Sequence, residues 1–325
     1  MGTDRTGLVR QFRNLTRSLD LAEGARACFR RSGAVLNLST ALRLGRVSNL
    51  PTVWTNVLVG VVLAGGVVSD SRLPLLLLAL SLFYVGGMFL NDAFDREFDA
   101  KHRPERPIPS GRVSAREVFL LGFGMLVVGT AGVAAASRGP DGIPAWRALA
   151  SSAGLAGSIV FYNAHHKGNP LSPLVMGLCR VFVVFTAAFS VAVVLPSLVF
   201  LAAIALLCHL IGLTYIAKQE HLDRIGNLWP LGFLVVPVLY GAVLAGSAPV
   251  VWVPLMLYVA VLLFALHLLR RRARGDVPRA VVTLIACMSL LDSVVLAGSG
   301  QIWPAALASL AFLMTLALQR WVSGT

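Results

Sequence analysis

The sequence predicts an all-α membrane protein, a polytopic bundle of nine or ten transmembrane helices. Composition is the first reason: of the 325 residues, 57% are hydrophobic and only 13% are charged. So little charge cannot cover the surface of a water-soluble domain of this size. The second reason is that the apolar residues are gathered in ten long segments. A backbone inside lipid must satisfy its own polar groups, which favours helices.

We predict a helix at each apolar segment, and several segments begin near a proline, which the first turn of a helix tolerates. The last two segments also fit one span followed by a re-entrant or interfacial helix, so the predicted count is nine or ten. The segments are residues 48–68, 74–93, 115–136, 146–163, 173–193, 196–217, 228–246, 250–269, 280–298 and 302–320.

The formal net charge of +13 is concentrated in particular loops. Loops after the second, fourth, sixth and eighth segments hold 14 Lys and Arg residues, whereas loops after the odd-numbered segments hold only Arg72, Arg138 and Arg147. By the positive-inside rule the basic loops face the cytoplasm. This placement argues against nucleic acid as a partner and predicts a multi-pass protein of the plasma (inner) membrane.

Residues 1–47 differ from the rest because they are rich in arginine and contain no long apolar run or signal-peptide pattern. We predict a cytoplasmic N-terminal segment over 1–47 and a transmembrane domain over 48–321. Residues 19–34 fit a short amphipathic helix on anionic lipid headgroups, and a disordered tail is the alternative.

Four residues at the end of the second segment form what we call the acidic stripe: Asn91, Asp92, Asp95 and Asp99. On a helix this spacing puts them on one face, where like charges repel unless a cation lies among them. Oxygen ligands suit a hard cation, and Mg²⁺ commonly shares such sites with substrate phosphates. The basic loop behind the stripe, residues 101–111, is able to face a phosphate across the metal. A diphosphate site at a membrane face is predicted, and a solvated loop that caps a membrane helix is the alternative.

A second acidic pair follows the sixth segment, four segments after the stripe. Glu220 and Asp223 are three residues apart and can be presented together on a helix. Two four-helix halves that each carry acidic residues after their second helix suggest a pseudo-symmetric bundle with both clusters at one mouth. An ordinary charged loop, with local ion pairs to Lys218 and Arg224, is the alternative.

Basic side chains near the fourth and fifth segments extend the candidate set. Lys167 is the only Lys or Arg in its loop. Beside it, His165 and His166 diverge by about 100° on a helix and have no third ligand at helical spacing, which disfavours a transition-metal site. Arg180 lies inside the fifth segment, so it should face the bundle interior and meet an anion. That anion is either a substrate or a protein carboxylate, Asp92, Asp95 or Glu220.

With these residues in view, the chain resembles the UbiA superfamily of intramembrane prenyltransferases over roughly residues 40–300. The pattern Asn91-Asp92-x-x-Asp95-x-x-x-Asp99, with the basic loop behind it, looks like the family's first aspartate-rich motif. Weaker similarities lie at Arg46, Asn49 and Asn56, and at Tyr162-Asn163 with Lys167. The resemblance implies a nine-helix bundle with a central cavity that opens to the cytoplasmic face and to lipid. It also implies transfer of an isoprenoid from its diphosphate to a lipophilic, often aromatic, acceptor, with Mg²⁺ between two acidic motifs.

The resemblance implies roles for particular residues, which we carry forward as expectations. Catalytic carboxylates would be Asp92, Asp95, Asp99, Glu220 and Asp223, and Mg²⁺ would be bound by Asn91, Asp92, Asp95, Asp99 and Glu220. The diphosphate would be bound by Arg46, Arg103, Arg106, Lys167, Lys218 and Arg180. The prenyl chain or acceptor would meet Asn56, Tyr162 and Asn163.

One departure from the family pattern concerns Lys218, which stands about where the second motif, D-x-x-x-D, would have an aspartate. The change removes one metal ligand and alters the local charge by two units. A lysine can bind phosphate directly as a point charge, and the change also fits a divergent branch with an altered acceptor or lost catalysis.

Two other functional classes compete with a prenyltransferase. A CDP-alcohol phosphotransferase also uses aspartates at a membrane mouth, but its Asp-Gly-x-x-Ala-Arg string does not occur in the sequence. The stronger alternative is a catalytically silent transporter or lipid-binding scaffold of the same fold. Lys218 supports it, whereas the intact acidic stripe argues against it.

Overall fold

The computed structural model describes residues 36–139, 145–218 and 229–322. Within these ranges the chain is all-helical, with twelve α-helices and no β-strand. The predicted all-α fold is therefore confirmed for the described part of the chain. The proposed amphipathic helix at 19–34 and the second acidic pair, Glu220 and Asp223, lie outside the described residues.

The helices are numbered in chain order, and short 3₁₀ turns lie between some of them. The helices are α1 (Leu38–Leu44), α2 (Leu50–Leu63), α3 (Leu73–Phe94), α4 (Arg96–His102), α5 (Ala115–Ala136), α6 (Trp146–His165), α7 (Ser172–Phe189), α8 (Ser197–Lys218), α9 (Val235–Ser247), α10 (Trp252–Arg271), α11 (Asp276–Gly298) and α12 (Ile302–Leu318). The 3₁₀ turns are Val47–Asn49, Trp229–Leu234 and Pro249–Val251.

Each of the ten predicted apolar segments overlaps one of these helices, α2, α3 or α5 to α12, over most of its length. Among the described residues, seven helical stretches are long and apolar enough to cross a membrane. The stretches at α2 and α12 are apolar but shorter, and Ser, Gly, Asn and His dilute the apolar residues of α6. The chain is thus a multi-pass membrane protein by length and composition, and the count of nine or ten spans stays a prediction.

Local sequence explains where several helices begin. A proline lies in the first turn of α2, α3 and α7, where its missing N–H costs no hydrogen bond. Helix α5 begins with a capping box, in which the Ser114 hydroxyl accepts from the Glu117 amide and the Glu117 carboxylate accepts from the Ser114 amide.

The two largest differences between predicted and observed boundaries are at α2 and α9. The first segment was expected to reach residue 68, but α2 ends at Leu63 and Gly65 follows with a φ of 91°. That left-handed conformation suits glycine and turns the chain away from the helix axis. The seventh segment begins as the 3₁₀ turn Trp229–Leu234 and becomes α-helical only at Val235, since Pro230 and Gly232 disfavour a regular α-helix there.

Helix α11 lies at the centre of the packing. It is mostly buried and packs against α2, α8, α10 and α12. Helices α2 and α7 also meet closely, because a Cβ at Gly60 would overlap the carbonyl oxygen of Val184. Small residues permit such close approach of helices in membranes. This contact brings the polar side chains of α2 and α11 next to α7.

Candidate functional site

A cavity of about 420 Å³ lies among α2, α3, α6, α7, α8 and α11. Its charged end is formed where these helices begin or end, and its remaining walls are apolar. The charged end includes Arg46, Asn91, Asp95, Asp99, Arg103, Arg106, Lys167 and Lys218, and the apolar walls include Phe83, Leu155, Ile159, Val183, Leu213 and Met288. An apolar cavity with a few convergent charged groups is typical of a ligand site.

The acidic stripe follows a small break between two helices. Helix α3 ends at Phe94 and α4 begins at Arg96, with Asp95 at the junction. The helical hydrogen bonds nevertheless continue, because the Asp95 amide donates to the Asn91 carbonyl at 3.0 Å and the Asp99 amide donates to the Asp95 carbonyl at 2.8 Å. The expected spacing along one helical face is therefore kept across the break.

Every carboxylate of the stripe contacts a basic side chain. Arg106 Nη1 lies 3.2 Å from Asp92 Oδ1 and 3.0 Å from Asp99 Oδ2, so one guanidinium joins two carboxylates. Lys167 Nζ lies 2.6 Å from Asp95 Oδ1. The basic residues come from separate loops, one after α4 and one after α6. The stripe is thus neutralised by the same side chains that the sequence assigned to diphosphate binding.

Arg46 completes this ion-pair network from the segment before α2. Its Nη2 lies 3.3 Å from Asp92 Oδ1 and donates to Asn91 Oδ1 at the same distance. Its backbone is left-handed, with a φ of 42°, a conformation that costs a non-glycine residue about 1 kcal/mol or more. The Tyr84 hydroxyl donates to its carbonyl oxygen at 3.4 Å. Surrounding contacts therefore hold Arg46 in a strained conformation at the charged end of the cavity.

Asn163 of α6 braces the stripe from the opposite wall. Its side-chain oxygen accepts from Asn91 Nδ2 at 3.2 Å, and its Nδ2 donates to the Gly87 carbonyl at 3.0 Å. Asn163 is buried, so these contacts fix the position of α3 against α6. Asn163 and Tyr162 both line the cavity, so the expectation that they meet the prenyl chain or acceptor stays a prediction.

The donor atoms of the stripe fit a hard cation such as Mg²⁺. All are oxygens, and Asp99 Oδ1 is buried without a hydrogen-bond partner among the described residues, which leaves it for a ligand. Among the described residues, no three His, Cys, Asp or Glu side chains are grouped closely enough to hold a metal ion by themselves. The stripe therefore fits a cation that takes further oxygens from substrate phosphates, as Mg²⁺ commonly does.

Lys218, the residue that departs from the family pattern, is the last residue of α8. Its Nζ donates to the Asn169 carbonyl and to Ser172 Oγ, both at 2.8 Å. It therefore ties α8 to the loop that leads into α7, while it also lines the charged end of the cavity. Its two expected acidic neighbours, Glu220 and Asp223, fall in the stretch 219–228 that the structure does not describe.

Arg180 and Asn56 lie deeper in the bundle than the stripe. Arg180 Nη1 donates to Asn56 Oδ1 at 3.2 Å, and its Nη2 donates to Thr52 Oγ1 at 3.0 Å. Asn56 Nδ2 in turn donates to Asp292 Oδ2 at 2.7 Å. Arg180 makes no ion pair with Asp92 or Asp95, the described carboxylates considered as its structural partners.

Sequence reasoning missed two members of this buried network, Thr52 and Asp292. Asp292 is the only charged residue of its apolar segment, 280–298, so nothing in the sequence names its partner. The available signal was the presence of two ionisable residues, Arg180 and Asp292, in apolar helices, since such residues are expected to be connected. His166 was also set aside as a metal ligand, and the structure puts its Nε2 3.6 Å from Asp95 Oδ2.

The chain is similar to known proteins in both sequence and fold. The model of the UbiA prenyltransferase family matches residues 53–283. A digeranylgeranylglyceryl phosphate synthase from Methanothrix thermoacetophila is 36% identical over 91 residues, 28% of this chain and 34% of that protein. The match thus spans about a third of that relative's length. A synthase of the same name from Methanopyrus kandleri is 30% identical over 200 residues, 62% of this chain and 69% of that protein.

A solved structure described as digeranylgeranylglyceryl phosphate synthase in membranes superposes with a TM-score of 0.59 at 17% identity. The superposition covers 83% of this chain and 100% of that structure, which supports the fold alone. The family match covers most of the chain and includes the acidic stripe, Arg180 and most of the helices around the cavity. The chain therefore belongs to the UbiA prenyltransferase family.

Proposed function

We propose that the protein transfers an isoprenoid chain from a prenyl diphosphate to a lipophilic acceptor in a Mg²⁺-dependent reaction. One observation carries the proposal. The three carboxylates of the acidic stripe are held by Arg46, Arg106 and Lys167 at the charged end of an apolar cavity. This arrangement can bind a diphosphate at its charged end and a hydrocarbon chain along its walls.

The basic side chains would recognise the diphosphate. Arg46, Arg106 and Lys167 now contact carboxylates, and the same N–H groups can turn to phosphate oxygens when the substrate enters. Asp92, Asp95 and Asp99, with Asn91, would then hold Mg²⁺ together with those oxygens. The bound ion would supply positive charge to the leaving diphosphate. The arginines and lysine add fixed positive charge where negative charge develops as the carbon–oxygen bond breaks.

The apolar walls of the cavity would bind the isoprenoid chain and exclude water from the first prenyl carbon. Phe83, Leu155 and Met288 lie along these walls, and Tyr162 lines the cavity from α6. Aromatic rings stabilise a nearby cation through their electron-rich faces, so Tyr162 is suited to contact a carbocation. Three other aromatic residues, Trp54, Phe94 and Phe182, pack against the core cluster that contains Phe83 and Leu155.

The acceptor class is guided by the relatives. Both are named for a product in which a glyceryl phosphate carries two geranylgeranyl groups. We therefore propose geranylgeranyl diphosphate as the donor to test first, and a lipid alcohol with an anionic headgroup as the acceptor to test first. An aromatic acceptor is the alternative.

The protein would act in the plasma membrane, with nine or ten spans and the acidic stripe facing the cytoplasm. The support is the charge distribution, with 14 Lys and Arg residues in the loops on the side of the stripe and three on the other. Soluble diphosphates and Mg²⁺ are available on that side. A cysteine-accessibility scan that labels a residue of the 101–111 loop from outside intact cells would contradict this orientation.

The function itself is tested with detergent-purified protein, Mg²⁺ and geranylgeranyl diphosphate. We expect Mg²⁺-dependent donor binding, and pyrophosphate release when a membrane-lipid extract is added. Binding without release in the presence of any lipid extract would favour the lipid-binding scaffold. Absence of donor binding would refute the diphosphate site and favour the transporter alternative.

A further inference from the structure

Helix α12 lies outside the region that the family model matches, yet it packs beside the charged end of the cavity. The match covers residues 53–283 and therefore ends within α11. Helix α12 follows at Ile302–Leu318 and packs against α11, α2 and the 3₁₀ turn Val47–Asn49. That turn comes directly after Arg46 and also lies outside the match. The two flanks of the matched region thus meet beside the proposed diphosphate site.

One face of α12 sets its position against its neighbours. Ala308 and Thr315, seven positions apart and so on one face of the helix, are both fully buried. Ser293 of α11 adds a polar contact, because its hydroxyl donates to the Ala305 carbonyl at 2.8 Å. The Gln319 amide donates to the Thr315 carbonyl at 2.9 Å, as in a further helical turn. Gln319 therefore continues the buried face just beyond the last residue of α12.

The Gln319 side chain joins α12 to the turn that follows Arg46. Its Nε2 donates to Asn49 Oδ1 at 3.0 Å and to the Val282 carbonyl of α11 at 3.4 Å. Asn49 is 3% exposed and lines the cavity. One side chain thus connects α11, α12 and a residue of the cavity wall, although Gln319 itself does not line the cavity.

Asn49 in turn holds the backbone of Arg46. Its amide N–H donates to the Arg46 carbonyl at 3.0 Å. Its side chain is hydrogen-bonded to the Tyr84 hydroxyl, which donates to the same carbonyl at 3.4 Å. A left-handed conformation such as that of Arg46 persists only where the surrounding contacts determine it. Both of these contacts involve Asn49, so the conformation of Arg46 depends on where Asn49 is held.

The side-chain contacts of Arg46 are weaker determinants of its position. Its guanidinium lies 3.3 Å from both Asn91 Oδ1 and Asp92 Oδ1, whereas charge-assisted hydrogen bonds are commonly about 2.7–2.9 Å long. These contacts must also be exchanged for phosphate oxygens when a diphosphate enters. The backbone anchor at Asn49 stays in place during that exchange, and it therefore decides where the guanidinium meets the ligand.

We propose that Gln319 is a positioning residue for diphosphate binding. Through Asn49 it keeps the backbone of Arg46 in the conformation that directs the guanidinium to the charged end of the cavity. The inference rests on the proposed prenyl transfer, and it assigns to the end of α12 a part in recognising the donor.

Three ligands separate positioning of the diphosphate-binding group from a general change in the cavity. Purified Gln319→Met protein, in which the side chain keeps nearly its length but loses the amide, is titrated in Mg²⁺ with geranylgeranyl diphosphate, inorganic pyrophosphate and geranylgeraniol. We expect the affinities for the donor and for pyrophosphate to fall by the same factor, about three- to tenfold, as for the loss of one hydrogen bond. Geranylgeraniol carries no phosphate, and its affinity should change less than about twofold.

A double-mutant cycle tests the route through Arg46. In Arg46→Gln protein the hydrocarbon chain of the donor still contributes to binding, and adding Gln319→Met should lower donor affinity less than about twofold further. Gln301→Met is the matched control, because it makes the same substitution at the exposed residue that precedes α12. It should leave the affinities for all three ligands unchanged. Gln319→Ala takes the place of Gln319→Met if that variant fails to fold.

Each of the other outcomes would overturn the inference in a different way. Unchanged donor affinity in the Gln319 variant would refute it directly. Equal weakening of geranylgeraniol and of the two phosphate ligands would assign Gln319 to the general packing of the bundle. An equal effect of Gln319→Met with and without Arg46→Gln would exclude the route through Arg46. No donor binding to the unmodified protein would instead refute the proposed function.

Discussion

Replacing Asp95 by asparagine removes one negative charge from the middle of the acidic stripe with almost no change in shape. Lys167 loses its ion-pair partner, but its side chain is 43% exposed and that of Asp95 is 12% exposed. Such a pair contributes no more than about 1 kcal/mol to the free energy of folding. The fold should therefore persist, with a melting temperature only a few degrees lower.

Substrate binding should suffer far more than stability. A carboxylate that holds a cation against a diphosphate is comparable to a preorganised group in a catalytic site, and losing one such group costs about 3 kcal/mol. At 1.4 kcal/mol per factor of ten, this corresponds to about a hundredfold. We therefore expect the Kd for geranylgeranyl diphosphate in the presence of Mg²⁺ to rise about a hundredfold, measured by equilibrium binding in detergent.

Asp70 provides a matched control on the loop just before the other end of α3. It pairs with Arg72 at 2.7 Å, with side-chain exposures of 19% and 46%, close to those of the Asp95–Lys167 pair. Its hydrogen bonds to Arg72 lower the pKa of its carboxyl to about 2, so it is ionised at neutral pH. Asp70→Asn should leave donor affinity unchanged. The reasoning is refuted if Asp95→Asn binds the donor normally, or if Asp70→Asn weakens binding equally.

Three further predictions follow from other features. Lys218→Asp should strengthen Mg²⁺ binding, because it replaces an ammonium by a carboxylate. It should also lower the melting temperature, because the contacts of Lys218 with the loop before α7 are lost. An unchanged midpoint in an Mg²⁺ titration would contradict the first expectation. Gly60→Ala should destabilise the bundle by about 1–3 kcal/mol, because its methyl group meets the Val184 carbonyl; Gly124→Ala, which meets nothing within 4 Å, is the control in the same unfolding measurement. Chelation of Mg²⁺ should abolish donor binding but leave the thermal unfolding midpoint unchanged, because basic side chains already neutralise the stripe; a large shift of the midpoint on adding EDTA would show that the ion also holds the fold.

Long apolar segments were enough to predict the ten longest helices, because lipid leaves the backbone few alternatives. The spacing of the acidic stripe also survived the break at Asp95, since the hydrogen bonds continue through it. The sequence could not show which basic side chain pairs with which carboxylate. Arg46, Arg106 and Lys167 come from three separate loops, and each long side chain can reach several carboxylates. The pairing therefore depends on distances that only the structure gives.

The deeper network shows a different limit of sequence reasoning. The position of Arg180 in an apolar segment predicts that it faces the bundle interior. It cannot show that Thr52 and Asn56 face Arg180. That contact depends on how α2 rotates and how closely it approaches α7, which is set by packing at Gly60. Asp292 looked isolated because its connection to Arg180 passes through a residue more than 230 positions away in the chain.

The left-handed backbone of Arg46 sets two opposing demands on one position. The backbone conformation is the one that glycine adopts most easily, whereas the contacts with Asn91 and Asp92 require a long cationic side chain. Glycine would relax the backbone and empty the site, and lysine would keep the charge without the forked contacts. No single substitution meets both demands, so evolutionary change at this position would have to be accompanied by change in its neighbours.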